Sequence, residues 1–238
     1  MKVAVITFSG NVGKTTIARH LLAPRIAGAE VIAVESINAD DGQATALRGN
    51  QFGELQEYLQ TVDSVVVDIG ASNVEDLLSL MRKYRGSHED FDYFVIPTVP
   101  ALKQQQDTIA TLAELAGLGI PSAKLRVVFN QVEDGSDVSK TFESVLTFVA
   151  HNQVGQASPA CRLGANEIYE RVKGSGTDIA TLAVDGTDYK ALIARAQTTS
   201  DKVLLAQRLA TRRLASGVVP ELDACFAALA LEDTAVRL

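Results

Sequence analysis

Ser9-Gly10-Asn11-Val12-Gly13-Lys14-Thr15-Thr16 stands between an apolar stretch, Val3-Ala4-Val5-Ile6, and a helix-like run, Ile17-Ala18-Arg19-His20-Leu21-Leu22. Strand, glycine-containing loop, lysine, hydroxyl and helix in that order read as a phosphate-binding loop. Glycines let the backbone turn so that consecutive N–H groups converge on one concavity, and the helix that follows brings its positive N-terminal end to the same point. In this reading Ser9 through Thr16 cradle the phosphates and Lys14 reaches the outer ones as a mobile positive charge. The hydroxyl of Thr15 joins a magnesium shell, which hard oxygen ligands suit. The rival reading is a glycine-rich turn that binds nothing.

Outward from the loop, apolar runs alternate with helix-period segments through the first 150 or so residues, the pattern of a parallel sheet covered by helices. Strands are expected at Lys2 to Thr7, Glu30 to Glu35, Ser64 to Asp68, Asp92 to Ile96 and Leu125 to Phe129. Helices are expected at Lys14 to Leu22, Phe52 to Gln60, Val74 to Lys83, Gln104 to Ala116 and Ser139 to Ala150. After Asn152 the pattern loosens: a short helix at Glu167 to Val172, a strand at Ile179 to Val184, then helices at Asp188 to Ala196, Asp201 to Ala215 and Glu221 to Ala230. The expected fold class is α/β, a doubly wound, mostly parallel sheet with a helical C-terminal tail. It forms one domain, 1–238, with its nucleotide-binding core at 1–152 and a largely helical part at 153–238.

Ser64-Val65-Val66-Val67-Asp68-Ile69-Gly70 is an apolar strand ending in aspartate and glycine, the way a Walker B strand delivers its carboxylate beside a phosphate loop. Asp68 is expected to hold magnesium through a water, and Gly70 to let the next loop approach and sense a γ-phosphate. The second strand runs into Val34-Glu35-Ser36-Ile37-Asn38-Ala39-Asp40-Asp41-Gly42. Leu125-Arg126-Val127-Val128-Phe129 runs into Asn130, whose amide has the donor and acceptor that reading an adenine edge requires.

G-x-x-x-x-G-K-[ST] would need glycine where Phe8 stands, so the loop is not the common form. Gly10, Gly13, Lys14 and Thr15 fit the shorter K-G-G-x-G-K-[ST] loop, and residues 1 to about 135 resemble the ParA and MinD ATPases. Ser9 occupies the place of the family's signature lysine and Asn11 that of its second glycine. Asn is the residue that, after glycine, best tolerates positive φ. The resemblance implies ATP or ADP with magnesium as ligands, hydrolysis involving Lys14, Asp68 and a water-positioning aspartate, an ATP-dependent homodimer, and adenine contact from Asn130. Asp40 is the candidate for the water-positioning place, against a plain acidic turn; Glu35 and Ile37 fall on the two acidic places of the family's stretch. Within the family, Phe8 to Arg25 and Val31 to Gly42 look most like the StbB group, plasmid-stability ATPases of conjugative plasmids. That implies work with a separate StbA-like DNA-binding protein. Two alternatives stand beside it: an adaptor that binds ATP without turnover, and a dethiobiotin-synthetase-like enzyme. The synthetase shares the x-Val-Gly-Lys-Thr ending, but its lysine and proline after the second strand are replaced here by Glu35-Ser36-Ile37-Asn38.

Of the 238 residues 47% are apolar, ample for a core, and the net charge of −7 argues against a surface that coats nucleic acid throughout. Lys190, Arg195, Lys202, Arg208, Arg212 and Arg213 form a locally basic segment. It reads as solvated helix faces or, through Arg208, Arg212 and Arg213, as a DNA-facing surface, although at 100° per residue no single stripe emerges. No stretch reaches the roughly 20 apolar residues of a membrane span, and the N-terminus enters a strand directly, which implies a cytoplasmic setting. Cys161 and Cys225 lack metal-ligand spacing and read as reduced thiols.

Overall fold

The computed structural model describes residues 1–34 and 49–232. The residues read above as Glu35 to Gly42, Asp40 among them, lie outside the described residues. Contacts separate the chain into two compact units, one of residues 1–165 with 224–238 and one of 166–223.

The first unit is built on six parallel strands: β1 (Lys2–Val5), β2 (Glu30–Ala33), β3 (Val65–Asp68), β4 (Tyr93–Thr98), β5 (Leu125–Val132) and β6 (Arg162–Gly164), in the order β2-β3-β1-β4-β5-β6. The chain winds from β1 to one side through β2 and β3, then crosses to the other side with β4. The loops leaving β1 and β4 therefore diverge at the point where such sheets bind ligands. Register is set by apolar runs buried on both faces: Val3 lies beside Val66 and Tyr93, and Val5 beside Asp68 and Val95. Ala4, Ile6, Val67, Phe94, Val127 and Phe129 pack on one face. There they meet Phe52 and Leu55 of α2 (Gly49–Thr61), Leu77 of α3 (Val74–Lys83), Leu112 of α4 (Leu102–Gly117) and, beyond a single turn α5 (Val138–Thr141), Val145 of α6 (Glu143–Asn152). Period-2 alternation sends Val3, Val5, Val66 and Val95, all fully buried, to the opposite face. α1 (Lys14–Thr16) starts the helix after the phosphate loop and continues as a π-helical stretch, Ile17–Leu22, and a 3-10 turn, Ala23–Arg25. Ile17, Ala18, Leu21 and Leu22 of that segment are fully buried.

The sixth strand is absent from the sequence expectation. Three residues long and interrupted by polar neighbours, it exists because Phe129 pairs with Arg162 and Val132 with Gly164. Arg126 of β5 anchors the far end of the chain: its Nε donates to the Leu229 carbonyl at 2.8 Å and its guanidinium lies 4.9 Å from the Tyr93 ring centroid. A cation there complements the last carbonyls of a helix.

The second unit holds α7 (Ile168–Arg171), α8 (Ile179–Ala183), α9 (Tyr189–Arg195) and most of α10 (Thr199–Leu229). Ile179 to Val184 is thus a helix and not the expected strand, because Asp178 caps it by accepting from the Thr181 N–H at 2.9 Å. The tail helices expected at 201–215 and 221–230 are one helix of 31 residues that runs through Gly217 and Pro220. Ala215, Val218, Leu222, Cys225 and Leu229 are all buried at alternating three- and four-residue spacing. That unbroken apolar stripe outweighs the hydrogen bond that proline removes. Both cysteines are buried, and burial pushes the Cys161 thiol up.

Candidate functional site

The loop of residues 9–13 leaves the carboxyl end of β1. Asn11 takes φ +58 and Gly13 φ +84, so the asparagine adopts the left-handed turn that glycine would otherwise supply. At Gly13 glycine is required twice over, since a Cβ there would stand 2.2 Å from Asn130 Nδ2. At Gly10 a Cβ would meet nothing within 4 Å, so no protein atom demands that glycine. The Gly13 carbonyl accepts from the Ile17 N–H at 2.9 Å and opens the helix.

Lys14 is buried, and its Nζ donates to the Ser9 carbonyl at 2.7 Å, which folds the side chain back across the loop. Thr15 and Asp68, separated by 53 residues in sequence, meet: Thr15 Oγ1 donates to Asp68 Oδ2 at 2.6 Å. The two oxygens expected to serve one cation are therefore side by side, one on α1 after the loop and one at the end of β3, the neighbour of β1. Thr16 continues the helix behind them. Gly70 has φ −57 and ψ 142, backbone that any residue adopts, and its carbonyl accepts from Asn73 N–H at the start of the 3-10 turn Ala71–Asn73.

Ser9 is 3% exposed and turned inward. Its hydroxyl donates to the carboxylate of Asp107 on α4, which Lys103 also approaches at 3.1 Å. The Ser9 hydroxyl, ahead of Lys103, holds the Asp107 carboxyl below its ordinary value. One residue earlier, the Phe8 N–H donates to Thr111 Oγ1 at 3.2 Å. Asn130, read from the sequence as an adenine contact, is 3% exposed, and its Nδ2 donates to the Val12 carbonyl at 2.9 Å. Its neighbour Gln131 donates through Nε2 to the Asn11 carbonyl at 3.3 Å.

Asp107, Thr111 and Gln131 are site residues that the sequence reading passed over. The i, i+4 spacing of Lys103, Asp107 and Thr111 marks one face of a helix, but nothing local says that this face meets a loop almost a hundred residues away. Of the basic residues singled out in the tail, Arg208 and Arg213 are exposed. Arg212 is engaged within its own unit, donating to the carbonyls of Asp185 at 2.9 Å and Thr187 at 2.6 Å and lying 5.2 Å from the Tyr189 ring centroid.

No protein-family model and no curated protein sequence matches the chain. Its fold is nevertheless similar to those of solved McdA and MinD structures. Apo McdA of Cyanothece superposes with a TM-score of 0.52 at 14% identity, over 77% of this chain and 93% of that one. A chain of the MinC:MinD cell division protein complex of Aquifex aeolicus gives a TM-score of 0.50 at 10% identity, over 90% and 96%. Among the described residues, no helix is long and apolar enough to cross a membrane.

Proposed function

We propose that this chain is an ATP-binding, slowly hydrolysing switch of the ParA and MinD type. The observation that carries the reading is the contact of Thr15 with Asp68 at 2.6 Å, beside a loop whose turn residues are already left-handed and whose lysine is in place. Two hard oxygens at that point suit magnesium, which when bound would neutralise phosphate charge. Thr15 and Asp68 would hold it, Lys14 would swing from the Ser9 carbonyl to the outer phosphates, and the loop N–H groups would receive the inner ones. The open space at Gly10 leaves room for such a ligand to approach the backbone. The finer part of the reading, a role in plasmid stability, positioning or conjugative transfer with an StbA-like DNA-binding partner and an ATP-dependent homodimer, rests on the loop sequence.

Ser9 favours a second reading, the ATP-stabilised adaptor. Buried and bonded to Asp107, it offers no cation to a second copy at the place where related loops do. Calorimetry with Mg·ATP, paired with phosphate release and mass in solution, separates the two readings. In the switch, Lys14→Ala lowers ATP affinity at least a hundredfold, roughly the loss of a charge-assisted contact of 3 kcal/mol, while the circular dichroism of the fold is kept. ATP binding that Lys14→Ala leaves unchanged rejects the site. Tight binding with no phosphate release, alone or with partner and DNA, selects the adaptor.

A further inference from the structure

Two neighbouring amides, Asn130 and Gln131, grip two neighbouring carbonyls of the loop, Val12 and Asn11. In a regular strand, consecutive side chains leave on opposite faces and could not do this. Here β5 carries one extra residue: three steps from Phe129 to Val132 match two from Arg162 to Gly164. Such a bulge re-aims a side chain. Gln131 occupies it at φ +55, a conformation that residues other than glycine seldom take, in a strand whose other residues are buried. Backbone held in that region at a strand end marks a place where geometry serves a purpose.

The purpose follows from the planarity of the peptide unit. In a trans peptide the carbonyl and the N–H point in opposite directions. Holding the Asn11 and Val12 carbonyls from the β5 side turns the N–H groups of Val12 and Gly13 away from it, and successive N–H groups aimed together make an anion nest. We propose that Asn130 and Gln131 are positioning residues that preorganise this nest, so that they govern affinity for the polyphosphate and not the choice of base. Asn130 also fills the space beside the Gly13 Cα, where a Cβ would meet it at 2.2 Å, and so closes the loop from behind. This rests on the nucleotide-site reading above and replaces adenine contact as the role of Asn130.

The test compares Mg·ATP, Mg·GTP and magnesium tripolyphosphate, by calorimetry on the full chain, for the wild type, Asn130→Ala and Gln131→Ala. Gln131 is exposed, so its variant keeps the fold even where Asn130→Ala does not. Loss of a preorganising hydrogen bond predicts about tenfold weaker binding for Asn130→Ala and about threefold for Gln131→Ala. The loss should be the same for all three ligands, leaving the ratio of ATP to tripolyphosphate affinity unchanged. An Asn130→Ala loss confined to ATP, with tripolyphosphate unaffected, makes Asn130 a base-reading residue and overturns the inference. So does a Gln131→Ala variant, with or without a folded Asn130→Ala, that binds all three ligands as the wild type does. A wild-type chain that binds none of them removes the nucleotide reading itself, and this inference with it.

Discussion

The loop end of the first unit and the helical second unit use the same kinds of polar side chain at opposite ranges. Around the loop, Thr15 reaches Asp68, Ser9 reaches Asp107 and Asn130 reaches Val12, across 53, 98 and 118 residues. In the second unit Asp178 caps Thr181, Asp188 caps Ala191 and Thr198 pairs with Asp201, each three residues apart. The first arrangement exists only when the sheet is assembled, and it places charge and N–H groups where a ligand can use them. The second caps the starts of helices from within their own first turn. It leaves apolar side chains such as Val184 and Val203 exposed at 81% and 50%.

Four substitutions test that contrast. Gly13→Ala should have the largest effect: strain at φ +84 and the collision with Asn130 together cost about 3 kcal/mol, read as a lower urea midpoint of the first unit. An unchanged midpoint would mean that the loop is not held by β5. Asp107→Asn removes a charge-assisted partner of Ser9 and should cost about 1 kcal/mol at neutral pH. The folded carboxyl lies below its ordinary 3.8, so its contribution is complete above that value and is lost as pH falls through the lower folded one. The gap between wild type and Asp107→Asn should stay flat from pH 7 to about 5 and close below 3.8. A gap that does not narrow at all below pH 3.8 assigns the effect to shape and not charge.

Asp178→Ala should cost about 1 kcal/mol or less, and only locally: amide hydrogen exchange quickens in α8 while nucleotide affinity stays put. If exchange quickens equally around residues 9–13, the second unit is not locally held. Arg82→Ala breaks an exposed pair with Glu114, whose side chains are 52% and 46% exposed, and should shift stability by no more than about 0.5 kcal/mol.

Asp185 completes the contrast. Bonds from the Thr187 hydroxyl and then Tyr189 hold its carboxyl down to about 2, yet all of them come from within four residues. A lowered carboxyl therefore arises in this chain both beside the loop, at Asp107, and far along the sequence from it, at Asp185.

Much of the first unit was legible in the residues. Val3 to Ile6, Val65 to Asp68 and Tyr93 to Thr98 are apolar runs that only a doubly covered strand accommodates, and Gly13-Lys14-Thr15 between strand and helix admits few other uses. These are patterns of one to three turns or a few strand residues, set by sterics and solvation that act locally. The union of α10 across Pro220, the helix at Ile179–Ala183, the sixth strand and the grip of α4 and β5 on the loop were decided by tertiary structure. Each depends on a partner that chain order does not bring near. A proline is tolerated where an apolar stripe is buried on both sides of it, and a three-residue strand forms where β5 offers a free edge. Ser9 and Asn130 acquire their roles from the side chain or carbonyl that the folded sheet sets against them.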